Sequence, residues 1–320
     1  MSLLETWLAR LPVASRAVLL GQLRATLHDE AFDPELWQGV WYLLNYTLQD
    51  SVGRSTRRPR GEFETDEWGL DREFVEAMLP FFSFLYKAYW RVEANGLEHV
   101  PVSGRALLVA HHSGLLPWDG VMIGTAILLH HPAQRLVRTL YGALLGRLPF
   151  VSTMLVRLGQ ALATVENGTR LLEEDKLVAV FPEGYKGIGK PFQDRYKLAR
   201  FGRGGYIRMA LHTGAPIIPV AVVGAEETSI TLAKVPTLSE VTGVPFLPIT
   251  LTFPWLGPLG FLPLPTKWSI DFGEPMPTDG YGPDAAKDLV LVSQLSDQVR
   301  HTIQEMIHNR LARRRSIFFG

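Results

Sequence analysis

The stretch "LLVAHHSGLLPWDG", residues 107–120, decides how this chain is read. An aliphatic run stops at His111-His112, a loop shaped by Gly114 and Pro117 follows, and the chain returns at Asp119. A short apolar run closed by polar and Gly/Pro positions predicts a buried strand. Asp119 then stands at the start of a helix, where one reading makes it only a helix cap. The other reading makes His112 a base and Asp119 the carboxylate that orients it. An imidazole with a free pKa of about 6.5 suits proton abstraction from a hydroxyl at neutral pH. The strand would deliver His112 to its C-terminal end, where α/β sites usually lie.

Working outward, short β-rich runs recur at "RALLVA", "RLVRTLY", "GQALATV", "KLVAVF", "APIIPVAVVG" and "KWSIDFG". Helical patterns fall between several of them, near 119–130, 142–157, 166–175 and 203–213. This alternation predicts an α/β fold with a mixed, largely parallel sheet flanked by helices. Residues 1–70 read as an N-terminal helical region and a charge-dense linker. Residues 71–320 read as the α/β domain, entered by an aromatic helix at 71–91 and closed by a long amphipathic helix.

Composition excludes several classes. Thirty-two basic and 32 acidic residues cancel in this 320-residue chain, so no global charge points to nucleic acid. The absence of cysteine excludes disulfides, thiolate metal sites and a cysteine-linked acyl intermediate. No ligand spacing such as H-E-x-x-H suggests a metal, and no G-x-S-x-G frames a serine. His130-His131 falls at an expected helix end, and "GRGG", 202–205, is too short for a dinucleotide fingerprint.

A second candidate is "LVAVFPEGYKGIGKPF", residues 177–192. A buried strand runs into Phe181-Pro182-Glu183-Gly184 and a turn carrying Lys186 and Lys190. Gly184, Gly189 and Lys190 imitate a phosphate-binding loop, but Pro191 replaces the hydroxyl residue that such a loop uses for magnesium.

Taken in order, the His…Asp block, FPEG about 70 residues later, and the strand "APIIPVAVVG" resemble the glycerolipid (lysophospholipid) acyltransferase superfamily. The resemblance covers roughly residues 95–275. It implies that His112 is the general base, Asp119 its partner, and that Phe181, Pro182, Glu183, Gly184 and Lys186 bind the acceptor. Pro216 and Pro219 match its fourth block. The implied reaction moves a fatty acyl group from acyl-CoA or acyl carrier protein, as co-substrate, to a glycerolipid hydroxyl, with no bound cofactor. The chain departs from the family pattern in spacing, His-x6-Asp rather than His-x4-Asp. It also lacks the phosphate-binding arginines, since "GQALATV" has none and Tyr185-Lys186 replaces Thr-Arg. Arginine suits phosphate better than lysine does. This departure is similar to the mono-/diacylglycerol acyltransferase-like branch, whose acceptors are neutral, although Lys186, Lys190 or Arg203 could compensate. "HH…DG" also resembles the wax ester synthase and condensation-domain family, whose spacing is three residues and which has no FPEG block. A lipid-binding protein without activity and a lipid ester or thioester hydrolase remain as alternatives.

The N-terminus reads as an amphipathic helix rather than a signal peptide, because Glu5 and Arg10 interrupt its apolar core. The charge-free run between Glu240 and Lys267 carries six prolines, each costing a helix roughly 3 kcal/mol, so it is not a membrane-spanning helix. We expect a cytoplasmic protein held peripherally on membrane lipids by this loop, the aromatic helix 74–90 and the basic-aromatic tail 310–319.

Overall fold

In the computed structural model of the chain, the residues described are 65–147, 151–235, 247–282 and 284–320. Residues 1–64, and with them the expected N-terminal helices and most of the linker, lie outside these. The strands are β1 (Glu93–Asn95), β2 (Ala106–Ala110), β3 (Val137–Tyr141), β4 (Ala161–Leu162), β5 (Leu177–Val180), β6 (Ile217–Val223), β7 (Thr231–Val235), β8 (Leu247–Thr250) and β9 (Ser269–Phe272). Seven of them form one sheet in the order β1-β9-β6-β2-β5-β3-β4. Strands β6, β2, β5, β3 and β4 run parallel, and β9 pairs antiparallel with β6. β1 runs parallel to β9, so these two oppose the other five. The fold is thus α/β with a mixed, largely parallel sheet.

The central strands are apolar because both of their faces are covered. Every residue of β2, β5 and β6 is buried. Along β2 the pleat sends Leu107 and Val109 to one core and Ala106, Leu108 and Ala110 to the other. The first core is covered by α5 (Val165–Glu173), α6 (Gly205–Thr213) and α7 (Leu289–Arg313). In α7, Val292, Leu295, Val299, Ile303 and Ile307 recur at helical spacing and are all buried. The second core is covered by α2 (Trp118–His130) and by α1 (Arg72–Phe84), which continues as a π turn at Leu85–Tyr89. The aromatic segment divides: Phe74, Tyr86 and Trp90 are buried, while Phe81, Phe82, Phe84 and Tyr89 are half-buried against the second core.

Three elements differ from the sequence expectation. The helix expected at 142–157 is two short ones, α3 (Ala143–Arg147) and α4 (Val151–Arg157), with 148–150 outside the described residues. β1 has only three residues, too few to leave a periodic signal. The proline-rich run holds a strand after all, β8, in a two-stranded ribbon with β7. A ribbon with a free edge tolerates Pro248, which has no N–H to donate. The end of the expected linker also packs on the domain: Asp66 pairs with Arg138, and the Trp68 indole donates to Glu174 Oε2 at 2.9 Å.

The C-terminal end of α7 is fixed by a buried ion pair, Arg314 Nη1 to Glu227 Oε2 at 2.6 Å. Arg314 also donates to the Lys267 carbonyl at 3.0 Å. Removing one partner leaves the other charge buried and uncompensated, which costs about 3–5 kcal/mol. Arg314→Met should therefore lower unfolding stability in urea by that amount; a loss below about 1 kcal/mol would show that the pair is not what holds α7.

Candidate active site

β2 and β5 are parallel neighbours in the register Ala106↔Leu177 through Val109↔Val180. Their C-terminal ends therefore lie side by side, and each empties directly into one of the two sequence blocks. The His112 and Phe181 rings stack with centroids 4.5 Å apart and planes at 12°. His112 Nδ1 lies 3.1 Å from Asp119 Oδ2. The same oxygen accepts from the Ser113 backbone N–H at 2.9 Å, and Oδ1 accepts from Gly120 N–H at 2.8 Å. The Asp119 side chain is 1% exposed and that of His112 is 15% exposed.

Asp119 does not cap its helix. The cap position of α2 is Pro117, and Asp119 sits in the first turn with its side chain turned back to the preceding loop. A carboxylate there lies favourably against the positive end of the helix dipole. The two surplus residues in His-x6-Asp are taken up by bends at 114–117, with Leu116 exposed. Gly114 has φ +92°, and a Cβ there would come within 2.8 Å of the Ala225 carbonyl. Its own carbonyl accepts from Gly189 N–H at 2.9 Å, which ties this loop to the turn after β5.

The neighbouring His111 is a different kind of residue. It is fully buried, with Nε2 2.9 Å from Ser113 Oγ. Burial, then the nearby Lys190 and His112, hold its pKa well below the ordinary imidazole value.

The other nominated residues occupy distinct places. Phe181 supplies the ring against His112. The Pro182 carbonyl accepts from Gly202 N–H at 2.9 Å, joining this turn to the "GRGG" segment. Gly184 has φ +57° with open space around it, and Lys186 is exposed. Glu183 points inward instead: Oε1 accepts from Ala199 N–H at 2.7 Å, and Lys190 Nζ lies 3.0 Å from Oε2. The side chain of Lys190, nominated as an anion ligand, is 8% exposed and also lies 3.5 Å from Glu226 Oε1. Glu226 Oε2 accepts from Tyr196 N–H at 2.6 Å. Burial raises the pKa of both acids, that of Glu226 to about 7, while Lys190 opposes the rise. Sequence reasoning missed Glu226; two acids in "GAEE" directly after a fully apolar strand were the available signal.

The segments nominated for lipid contact meet at this same end of the sheet. Arg91 Nη2 donates to the carbonyls of Pro265 and Phe318, both at 2.9 Å. Tyr89 OH donates to the Pro263 carbonyl at 2.6 Å, and the Trp90 indole to that of Leu264 at 3.1 Å. Leu251, Trp255, Leu256 and Leu262 of the loop are exposed, Trp255 to 74%, as are Ile317 and Phe319 of the tail. No helix among the described residues is long and apolar enough to cross a membrane.

The acyltransferase family profile matches residues 91–223, which contain the whole His112–Asp119–Phe181 arrangement. An uncharacterized protein of Mycobacterium leprae is 46% identical over 270 residues, covering 84% of this chain and 74% of that one. This chain belongs to the acyltransferase family. An uncharacterized protein of Mycobacterium tuberculosis is 45% identical to this acyltransferase over 270 residues, covering 84% of the chain and 75% of the relative. Among solved structures, the 1-acyl-sn-glycerophosphate (LPA) acyltransferase PlsC from Thermotoga maritima is similar at 17% identity and a TM-score of 0.49. That likeness covers 93% of this chain and 98% of that one.

Gly187 packs where the two blocks of the acyltransferase touch. A Cβ there would lie 2.2 Å from Glu183 Oε2 and 2.8 Å from His112 Cβ, so one of them must move. Gly187→Ala should lower acyl transfer at least about tenfold, since displacements near 1 Å at a reacting group cost that much or more. Gly124→Ala, with nothing within 4 Å of the new methyl, should leave the rate unchanged in the same assay.

Proposed function

We propose that the protein transfers a fatty acyl group from an acyl-CoA or acyl carrier protein thioester to the hydroxyl of a glycerolipid acceptor, with His112 as the general base. The observation that carries this reading is the 3.1 Å contact of His112 Nδ1 with the buried Asp119 carboxylate, beneath the Phe181 ring. With Nδ1–H donated to Asp119, the lone pair on Nε2 is left for a substrate hydroxyl. As that proton moves to Nε2, the acceptor oxygen bonds to the thioester carbonyl carbon. Collapse of the tetrahedral adduct breaks the C–S bond, and the imidazolium returns the proton to the departing thiolate. Asp119 holds the ring in one tautomer and stabilises its charged form. With no cysteine in the sequence there is no thiol-linked acyl intermediate, which fits direct transfer within a complex holding both substrates.

A neutral acceptor, a mono- or diacylglycerol, fits best. Lys190 is engaged by two buried carboxylates, and the residue after FPEG-Tyr185 is lysine rather than arginine. Exposed Lys186, Arg200 and Arg203 favour a second reading, in which the acceptor is an anionic lysophospholipid or lysophosphatidic acid. The full-length protein, given radiolabelled acyl-CoA and a panel of acceptors, should form one labelled lipid class. His112→Ala should slow this about 10²–10⁴-fold. Free fatty acid released without acceptor would mark a hydrolase. Equal inertness of both proteins, with lipid binding retained, would mark a lipid-binding protein.

We further propose that the acceptor is met at a membrane surface on the cytoplasmic face, with the protein bound peripherally. The exposed leucines and Trp255 supply apolar contact, and exposed Arg313 and Arg315 beside Ile317 and Phe319 suit anionic headgroups. Sedimentation with phosphatidylglycerol vesicles should capture the wild type. Replacing Trp255 and Leu256 together with serine should weaken capture at least about tenfold, since each buried apolar side chain contributes about 1.5–3 kcal/mol. Unchanged capture would assign the membrane contact elsewhere.

A further inference from the structure

Lys190 is the centre of a buried cluster that joins three loops. Its ammonium lies 3.0 Å from Glu183, on the loop after β5, and 3.5 Å from Glu226, on the loop after β6. The side chains of all three are at most 8% exposed. The third loop, after β2, is reached through packing. Gly187 leaves no room for a methyl between Glu183 and His112 Cβ, and Gly189 N–H donates to the Gly114 carbonyl at 2.9 Å. Backbone N–H groups also hold each acid, Ala199 on Glu183 and Tyr196 on Glu226. One cation thus stands between two carboxylates, one of which packs through Gly187 against the proposed base.

We propose that Lys190 is a positioning residue, which sets the place of His112 by clamping Glu183 to Glu226, and not a ligand for the acceptor's phosphate. This rests on the reading of His112 as the base. Without Lys190, two neighbouring carboxylates are left buried with no counter-ion, so they must separate or take up protons. Either response moves the Glu183 turn, and His112 rests on that turn. Removing Glu226 as well relieves the repulsion. The two substitutions should therefore offset one another rather than add, because the groups act as one unit.

The test is a double-mutant cycle of Lys190→Met and Glu226→Gln in the full-length protein, followed by acyl transfer, thermal unfolding and the NMR signals of the His112 ring. Lys190→Met should lower kcat at least about tenfold while leaving within about twofold the KM for whichever acceptor, diacylglycerol or lysophosphatidic acid, the wild type acylates. Glu226→Gln alone should also lower kcat. The double variant should exceed Lys190→Met in both kcat and melting temperature, and the His112 signals displaced in Lys190→Met should return toward their wild-type positions. Two results overturn the proposal. One is a tenfold rise in KM with kcat unchanged, which makes Lys190 an acceptor ligand. The other is a double variant no better than Lys190→Met. Should Lys190→Met fail to fold, Glu226→Gln decides: a wild-type kcat and unmoved His112 signals overturn the clamp. Failure of the base reading is separately visible, as full activity in His112→Ala with the NMR cycle still intact.

Discussion

The parallel pairing of β2 with β5 is the constraint on which the site depends. Because side chains alternate along a strand, a slip of one residue would exchange the faces of every residue in it. Here both faces of β2 are committed to different cores, with Leu107 and Val109 on one side and Leu108 and Ala110 on the other. That double commitment fixes where the strand releases its chain. It separates two adjacent histidines into different environments: His111 goes into the interior, and His112 meets α2 and Phe181. The helix that covers the second core is the one whose first turn carries Asp119. Packing of aliphatic residues therefore sets the distance between an imidazole and a carboxylate.

Charge is buried repeatedly around this end of the sheet. Arg314 pairs with Glu227 at the end of α7, and Lys190 with Glu183 and Glu226 on the loops after β5 and β6. Buried pairs of this kind are weak sources of net stability, because desolvation offsets most of the attraction. Their effect is geometric: each fixes the direction in which a loop leaves the sheet. The site is thus held by polar contacts whose partners lie far apart in the chain, while the sheet beneath is held by apolar ones.

What the sequence made legible follows the same division. Strands β2, β5 and β6 were visible because full burial leaves uninterrupted aliphatic runs, and α7 because its buried positions recur at helical spacing. The His112–Asp119 and FPEG blocks were visible because strand ends precede them. The reversed direction of β9 and β1 left no local trace, since a four-residue strand reads alike in either direction. The hairpin β7–β8 was hidden by prolines that argue against strand in a central position but not in a free ribbon. The roles of Lys190 and Glu226 were illegible for another reason. A lysine in a glycine-rich turn looks solvent-facing until the fold brings two acids to it from 7 and 36 residues away.

The direction of β9 has a structural consequence of its own. Since β9 runs against β6, the excursion between them leaves and rejoins the sheet at one place, closed by Thr266 Oγ1 donating to the Gly224 carbonyl at 2.9 Å. A parallel partner would have required a crossover to the opposite end. Each doubling of such a closed loop costs only about 0.6 kcal/mol. The middle of the excursion that carries Trp255 can therefore change in length while the pairing of all seven strands stays as it is.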